Sequence, residues 1–286
     1  MKRLLPLLCL LASGCGNDRE GAIVFTDPAW SASVVAASEN GFSAPDGIVP
    51  TAAGIVMADE GDGTIRLWKG TAKVLLDKKS GIETPEDIVV DPSGTIYFTD
   101  DDAGGLWRLA PDGKAQKLAL ELKSTEALAL AADGTLLVGD GKAHGIFAVS
   151  PDGAVTPFLS GITKPESLAF DDQGNLYIAD NQENVLYLRT AEGRLLRLID
   201  GRDGFSPESI AWADGALFVT DSADGKLFRY TPTKGLETIT LFSGRLSHVS
   251  GVAGDGKGGL YVTVQDRFHP GHGFLLKLKR TPSSRA

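Results

Sequence analysis

Cysteine is almost missing from this 286-residue chain: the two present, Cys9 and Cys15, both lie within the first fifteen residues. Beyond them no disulfide can form and no thiol is available, which excludes thiol catalysis. A basic excess is also missing. The 28 Lys and Arg are outnumbered by 37 Asp and Glu, for a net charge of −9. No patch of the kind that holds nucleic acid is expected on such an acidic chain. Helix signals, a Ser-centred nucleophile elbow and a Walker-type phosphate loop are all lacking. The one long apolar run, Leu4 to Leu11, is too short to cross a bilayer as a helix. Glycine, by contrast, is plentiful at 35 residues, and the 14 prolines accompany it at turn positions.

Those turns punctuate a repeat. Ser167 to Phe170 is a short, mostly apolar run, Asp171 to Asn175 has turn chemistry, and Leu176 to Ala179 is a second run closed by Asp180. Similar hairpins run from Pro85 to Asp100, Thr125 to Asp140 and Pro207 to Asp221, with weaker copies from Pro45 to Asp59 and Val249 to Thr263. Starts at 45, 85, 125, 165, 207 and 249 predict an all-β, six-bladed β-propeller, one four-stranded sheet per unit. Leu106–Leu109, Ile146–Val149 and Leu227–Tyr230 read as third strands. The last unit has only three strands, ending in Phe274–Leu278. Ser33 to Ala37 supplies the fourth, so an N-terminal strand closes the ring. Ala22 to Thr26 is left over, as an addition to a rim.

The first twenty residues stand outside this pattern. Lys2 and Arg3 precede the apolar run, which ends Leu11-Ala12-Ser13-Gly14-Cys15. This resembles a bacterial lipobox, which implies a signal peptide over residues 1–14, acylation of Cys15 and a polar tether over 15–21. The propeller would then span 22–280, with a tail over 281–286. An ordinary signal peptide cut near Cys15 is the alternative. Gly16 after the Cys resembles outer-membrane lipoproteins, so the expected location is the bacterial cell envelope, with the lipid anchor as the only membrane contact and a monomeric ring.

Register places two sets of loops on one face of the ring. Five of the six units carry an acid at the position that opens the innermost strand: Asp46, Glu86, Glu126, Glu166 and Glu208, with Ser250 in the sixth. These acids are expected to ring the mouth of the central channel. Two such charges about 4 Å apart repel by roughly 4 kcal/mol at an effective dielectric of 20. Convergent carboxylates of this kind suit a hard divalent cation, Ca²⁺ first. The same register also suits a repeat signature that caps the neighbouring blade, and both readings stand. His144, His248, His269 and His272 all fall in loops assigned to this face. They are candidates for proton transfer, with Asp46, or else exposed loop residues. The closing acids Asp59, Asp100, Asp140, Asp180 and Asp221 read as structural.

At these motifs the chain resembles the SMP-30/gluconolactonase-like six-bladed propellers over residues 33–279, and it shares repeat features with NHL proteins (Asp171 to Asp180) and with YWTD propellers (Ile96 to Asp100, Leu217 to Asp221). The resemblance implies a divalent metal held by acids that follow the repeat's Pro, with Pro45-Asp46-Gly47 the best match, and an Asp that helps to activate water. No Asn stands at any of these positions, where the family has one. Two functions are implied. One is a metal-dependent hydrolase of lactones or related esters. The other is a non-catalytic scaffold whose acidic mouth takes a small-molecule, cationic or peptide ligand.

Overall fold

The computed structural model describes residues 21–118, 121–201 and 205–281. Six antiparallel sheets follow one another along the chain. Their innermost strands are Pro45–Thr51, Pro85–Val90, Thr125–Leu130, Pro165–Phe170, Pro207–Ala213 and His248–Gly254. Each sheet runs outward from that strand, so the blades stand around a central channel. Between the blades lies the core. Val56 and Ile65 of the first blade, for example, pack with Ile88, Phe98 and Trp107 of the second.

The ring closes as the strand count requires. Trp30–Ala37 pairs antiparallel with Gly273–Arg280, so the outermost strand of the sixth blade comes from the other end of the chain. Ala22–Phe25, left over in the repeat count, pairs with Gly235–Ser243 and becomes a fifth strand on the fifth blade. The N-terminal arm therefore spans two blades, and Trp30 packs edge-on against Phe218 with ring centroids 6.2 Å apart.

The closing acids do what their position suggested. Asp59 accepts the backbone N–H groups of Ser43 and Ala44, and Asp100 those of Glu83 and Thr84. Asp180 does the same for Thr163 and Lys164. Each clamps the link that enters its own blade, which satisfies buried donors that would otherwise be orphaned. In the sixth blade Val264 stands at that register, and the acid comes two residues later as Asp266. It accepts from the Phe268 and His269 backbone and from Arg245 Nε. Cys15 and the proposed leader lie outside the described residues.

Candidate functional site

In every blade the innermost pair slips register at the opening position, for instance between Pro45 and Ile48 and between Pro85 and Ile88. Such an irregularity re-aims a side chain out of the sheet. Here it turns the acids toward the channel. Threonines of the second strands then fix the opened backbone. Thr99 Oγ1 donates to the Glu126 carbonyl at 2.6 Å, and Thr263 Oγ1 to that of Asp46 at 3.1 Å, the latter bond joining the last blade to the first. The inner strands approach so closely that a Cβ at Gly47 would collide with the Glu86 carbonyl, and one at Gly251 with that of Asp46.

The cavity at the mouth is lined by Asp46, Glu86, Asp87, Glu126, Glu166 and Glu208 together with Gly47, Ser167 and Ser209. Its free volume of about 20 Å³ suits an ion or a water molecule and is far too small for an organic ligand. All five register acids of the sequence are thus present, but they divide. Asp46 and Glu86 hydrogen-bond to each other, and with Glu60 they bring three carboxylate oxygens within 4.8 Å of one another. On another arc, Glu126 and Glu166 face Lys164, whose Nζ lies 3.0 and 3.1 Å from their Oε2 atoms. Glu208 takes a 2.7 Å hydrogen bond from Ser222 Oγ. One acid per blade spreads the set around the channel, so five equivalent ligands for one ion do not arise.

The electrostatics follow from crowding in a dry place. Burial, reinforced by the charges of Glu208 and Glu60, pushes Asp46 up to about 8. Burial, then the negative charge of Asp46 and of Glu60, holds Glu86 well above the ordinary carboxyl range. Glu166 is pushed up to about 10, by burial first and then by Glu208 and Glu126. Burial works against the charge on Lys164, but Glu166 and Glu126 outweigh it and hold the ammonium above its usual value. Two carboxyls thus face one ammonium. Glu166 keeps its proton at neutral pH.

Three residues escaped the sequence reading. Glu60 belongs to the loop after the first blade's second strand, and its signal was its place directly after the closing Asp59. It is held by Gln265 Nε2 at 3.1 Å. Lys164 stands two residues before its blade's acid, where four other blades have Ala44, Thr84, Ser124 and Ser206. Asp87 accepts from the backbone of Leu128 in the next blade at 3.0 Å, which is a blade-to-blade tie, and burial pushes it up to about 7.

The histidines are placed apart from the acid cluster. His144 is an exposed turn residue with φ of 51°, its Nδ1 2.8 Å from the Thr163 carbonyl. His269 Nδ1 lies 3.1 Å from Asp266 Oδ2. His272 lines a separate cleft with Ala37, Phe42 and Arg245. His248 lines an open cavity of about 460 Å³ with Ser222, Ala223, Gln265, Asp266, Arg267 and Pro270. That cavity adjoins the acid mouth, because its Ser222 and Gln265 are the residues that hold Glu208 and Glu60.

The donors at the mouth suit a hard cation. Asp46, Glu60 and Glu86 offer only oxygen, and a 4.8 Å spread fits atoms lying 2.3–2.6 Å from a common centre.

Comparison with solved structures agrees with this architecture. A gluconolactonase from Xanthomonas campestris superposes with a TM-score of 0.70 at 16% identity, over 91% of this chain and 90% of that one. The chain has the six-bladed fold of the gluconolactonases. A calcium-binding protein, regucalcin, from Agrobacterium tumefaciens gives 0.65 at 18% identity, over 84% and 92% of the two chains. Virginiamycin B lyase from Staphylococcus aureus gives 0.64 at 15%, over 82% and 81%. The fold therefore houses unlike chemistries, and the activity has to be argued from the site. The family model for the strictosidine synthase-like N-terminal region matches residues 73–109, which carry the outer strand of the first blade and the first three of the second. No curated protein sequence matches the chain.

Proposed function

We propose that the protein is a divalent-cation-dependent hydrolase of lactones or related small esters. The observation that carries this reading is the convergence of Asp46, Glu60 and Glu86 on one point of the channel mouth, with an organic-ligand-sized cavity beside it. The three carboxylates would hold a Ca²⁺-like ion. When bound, such an ion polarises a carbonyl oxygen and lowers the pKa of adjacent water. The chain's own residues do the rest. Gln265 fixes Glu60 from the wall shared with the cavity. Glu208, oriented by Ser222, would take the proton of the attacking water. The cavity beside it, at about 460 Å³, is the right size for a compact substrate, which His248 and Arg267 would meet along its wall. The relatives named for gluconolactone hydrolysis and calcium binding support the same reading.

Hydrolysis of a panel of aldonolactones and aryl esters, followed with calcium, manganese or a chelator present, tests it. Turnover should need the ion and should fall by at least about a thousandfold in Asp46→Asn. Tight calcium binding with no turnover of any lactone or ester would favour the second reading, a binding scaffold. That alternative is motivated by the histidines, since among the described residues none lines the acid cavity.

We also propose that Cys15 anchors the ring to the cell envelope. Cys15→Ser should move the protein from the membrane to the soluble fraction, and unchanged fractionation would exclude the anchor.

A further inference from the structure

The position two residues before the acid is small in four blades and is Lys164 in the fourth. Its backbone N–H is fixed by Asp180 at 3.3 Å. Its stem passes the turn at Gly141, where an added Cβ would lie 3.5 Å from Lys164 Cγ and 3.9 Å from Glu126 Oε1. The ammonium so delivered sits 3.0 and 3.1 Å from the carboxyl groups of two adjacent blades. The Glu126 side chain is only 9% exposed, and its Oε2, buried at the mouth, has the Lys164 ammonium 3.0 Å away as its partner. The ammonium of a side chain from the next blade therefore compensates it. A capping role would instead have matched that oxygen to a backbone N–H.

We propose that Lys164 is the resident cation of a second cation position, formed by Glu126 and Glu166, and that it limits the mouth to a single divalent ion at Asp46, Glu60 and Glu86. The first ion rests on the proposed function; the second position does not. An ammonium and a hard cation compete for the same oxygens. Removing the ammonium leaves two inward-facing carboxyls in a cavity of the size of an ion or a water molecule. Asp46, Glu86, Glu126, Glu166 and Glu208 line this mouth, Glu60 joins Asp46 and Glu86 on one arc, and Lys164 occupies the other.

The test is Mn²⁺ binding to the folded, full-length protein, counted by calorimetry and by electron paramagnetic resonance. One ion is expected in the wild type, two in Lys164→Met with the line broadening of neighbouring Mn²⁺ ions, and one again in Lys164→Arg. One ion in both wild type and Lys164→Met, or two already in the wild type, overturns the proposal and leaves the first site standing. No ion in the wild type but one in Lys164→Met supports the proposal and sinks the metal reading of Asp46, Glu60 and Glu86. No ion in either overturns both. If Lys164→Met does not fold, Glu126→Gln decides the matter. It should weaken the wild-type ion by no more than about tenfold, a through-space charge effect, whereas Asp46→Asn should exceed the about 100-fold upper range of an outer-shell change. Equal losses in the two variants would make Glu126 a ligand of the first ion and defeat the proposal.

Discussion

Glu86→Gln should abolish the stabilisation of this protein by calcium and, in the same molecule, raise its stability without calcium. The two signs come from one cause. Glu86 is half-buried against Asp46 and Glu60, and desolvation and then their negative charges oppose its ionisation. A bound cation turns that repulsion into ligation, and an ion that binds only the folded ring stabilises it by about 2.7 kcal/mol at a hundredfold excess over Kd. Gln keeps the shape and removes a charge. The variant should lose most of the calcium response, while its cation-free melting temperature at pH 8 rises by roughly 2–4 °C, the equivalent of about 1 kcal/mol in a chain of this size. The pH dependence carries the same signature. Asp46 is raised from 3.8 to about 8, so the folded state binds more protons than the unfolded state between those values. That contribution is fully present below the lower value and is lost as the pH climbs through about 8. The cation-free protein should therefore lose stability over this window. Saturating calcium should flatten the loss, because the ion needs the deprotonated carboxylates. Melting curves from pH 5 to 9, with calcium and with chelator, measure both effects. If calcium, magnesium, manganese and zinc all leave the curves unmoved, or if Glu86→Gln destabilises the cation-free ring, the acids are structural.

Removing residues through Ala37 should prevent the ring from closing. The lost segment contains the outer strand of the sixth blade and the extra strand of the fifth. With it go Ile23, Trp30, Ala36 and Ala37, all buried. Truncating one buried Trp alone costs about 3–5 kcal/mol, a large part of the 5–15 kcal/mol that holds a typical domain together. The deletion also bares the edge of Gly273–Arg280, an open row of backbone donors and acceptors that invites pairing with another chain. Insoluble or strand-exchanged oligomeric product is expected, and size-exclusion chromatography reads it directly. Deletion through Glu20 should leave a soluble monomer. A stable monomeric ring after the longer deletion would show that closure does not depend on this strand.

The architecture was legible along the chain because every blade repeats the same local problem. A hairpin with a Gly-containing turn and a closing Asp recurs every 40 to 42 residues, and such units bury their faces only against copies of themselves. The missing fourth strand in the last blade then required one from the N-terminus, and Trp30–Ala37 is that strand. Ala22–Phe25 was harder, since a fifth strand on one blade answers to an outer edge that no periodicity announces. The ring of acids was equally visible, because register fixes which residue opens each innermost strand. Register is silent, however, about distances across a channel. Only the tertiary structure joined Asp46 and Glu86 to Glu60, a loop residue from a different register, and set Lys164 between Glu126 and Glu166. It also kept the four histidines off that cluster, although all had been assigned to the same face. A repeat dictates what each blade presents at the channel. Which of those groups meet is decided by how six blades close around a common axis, and by departures from the repeat that fill the space at its centre.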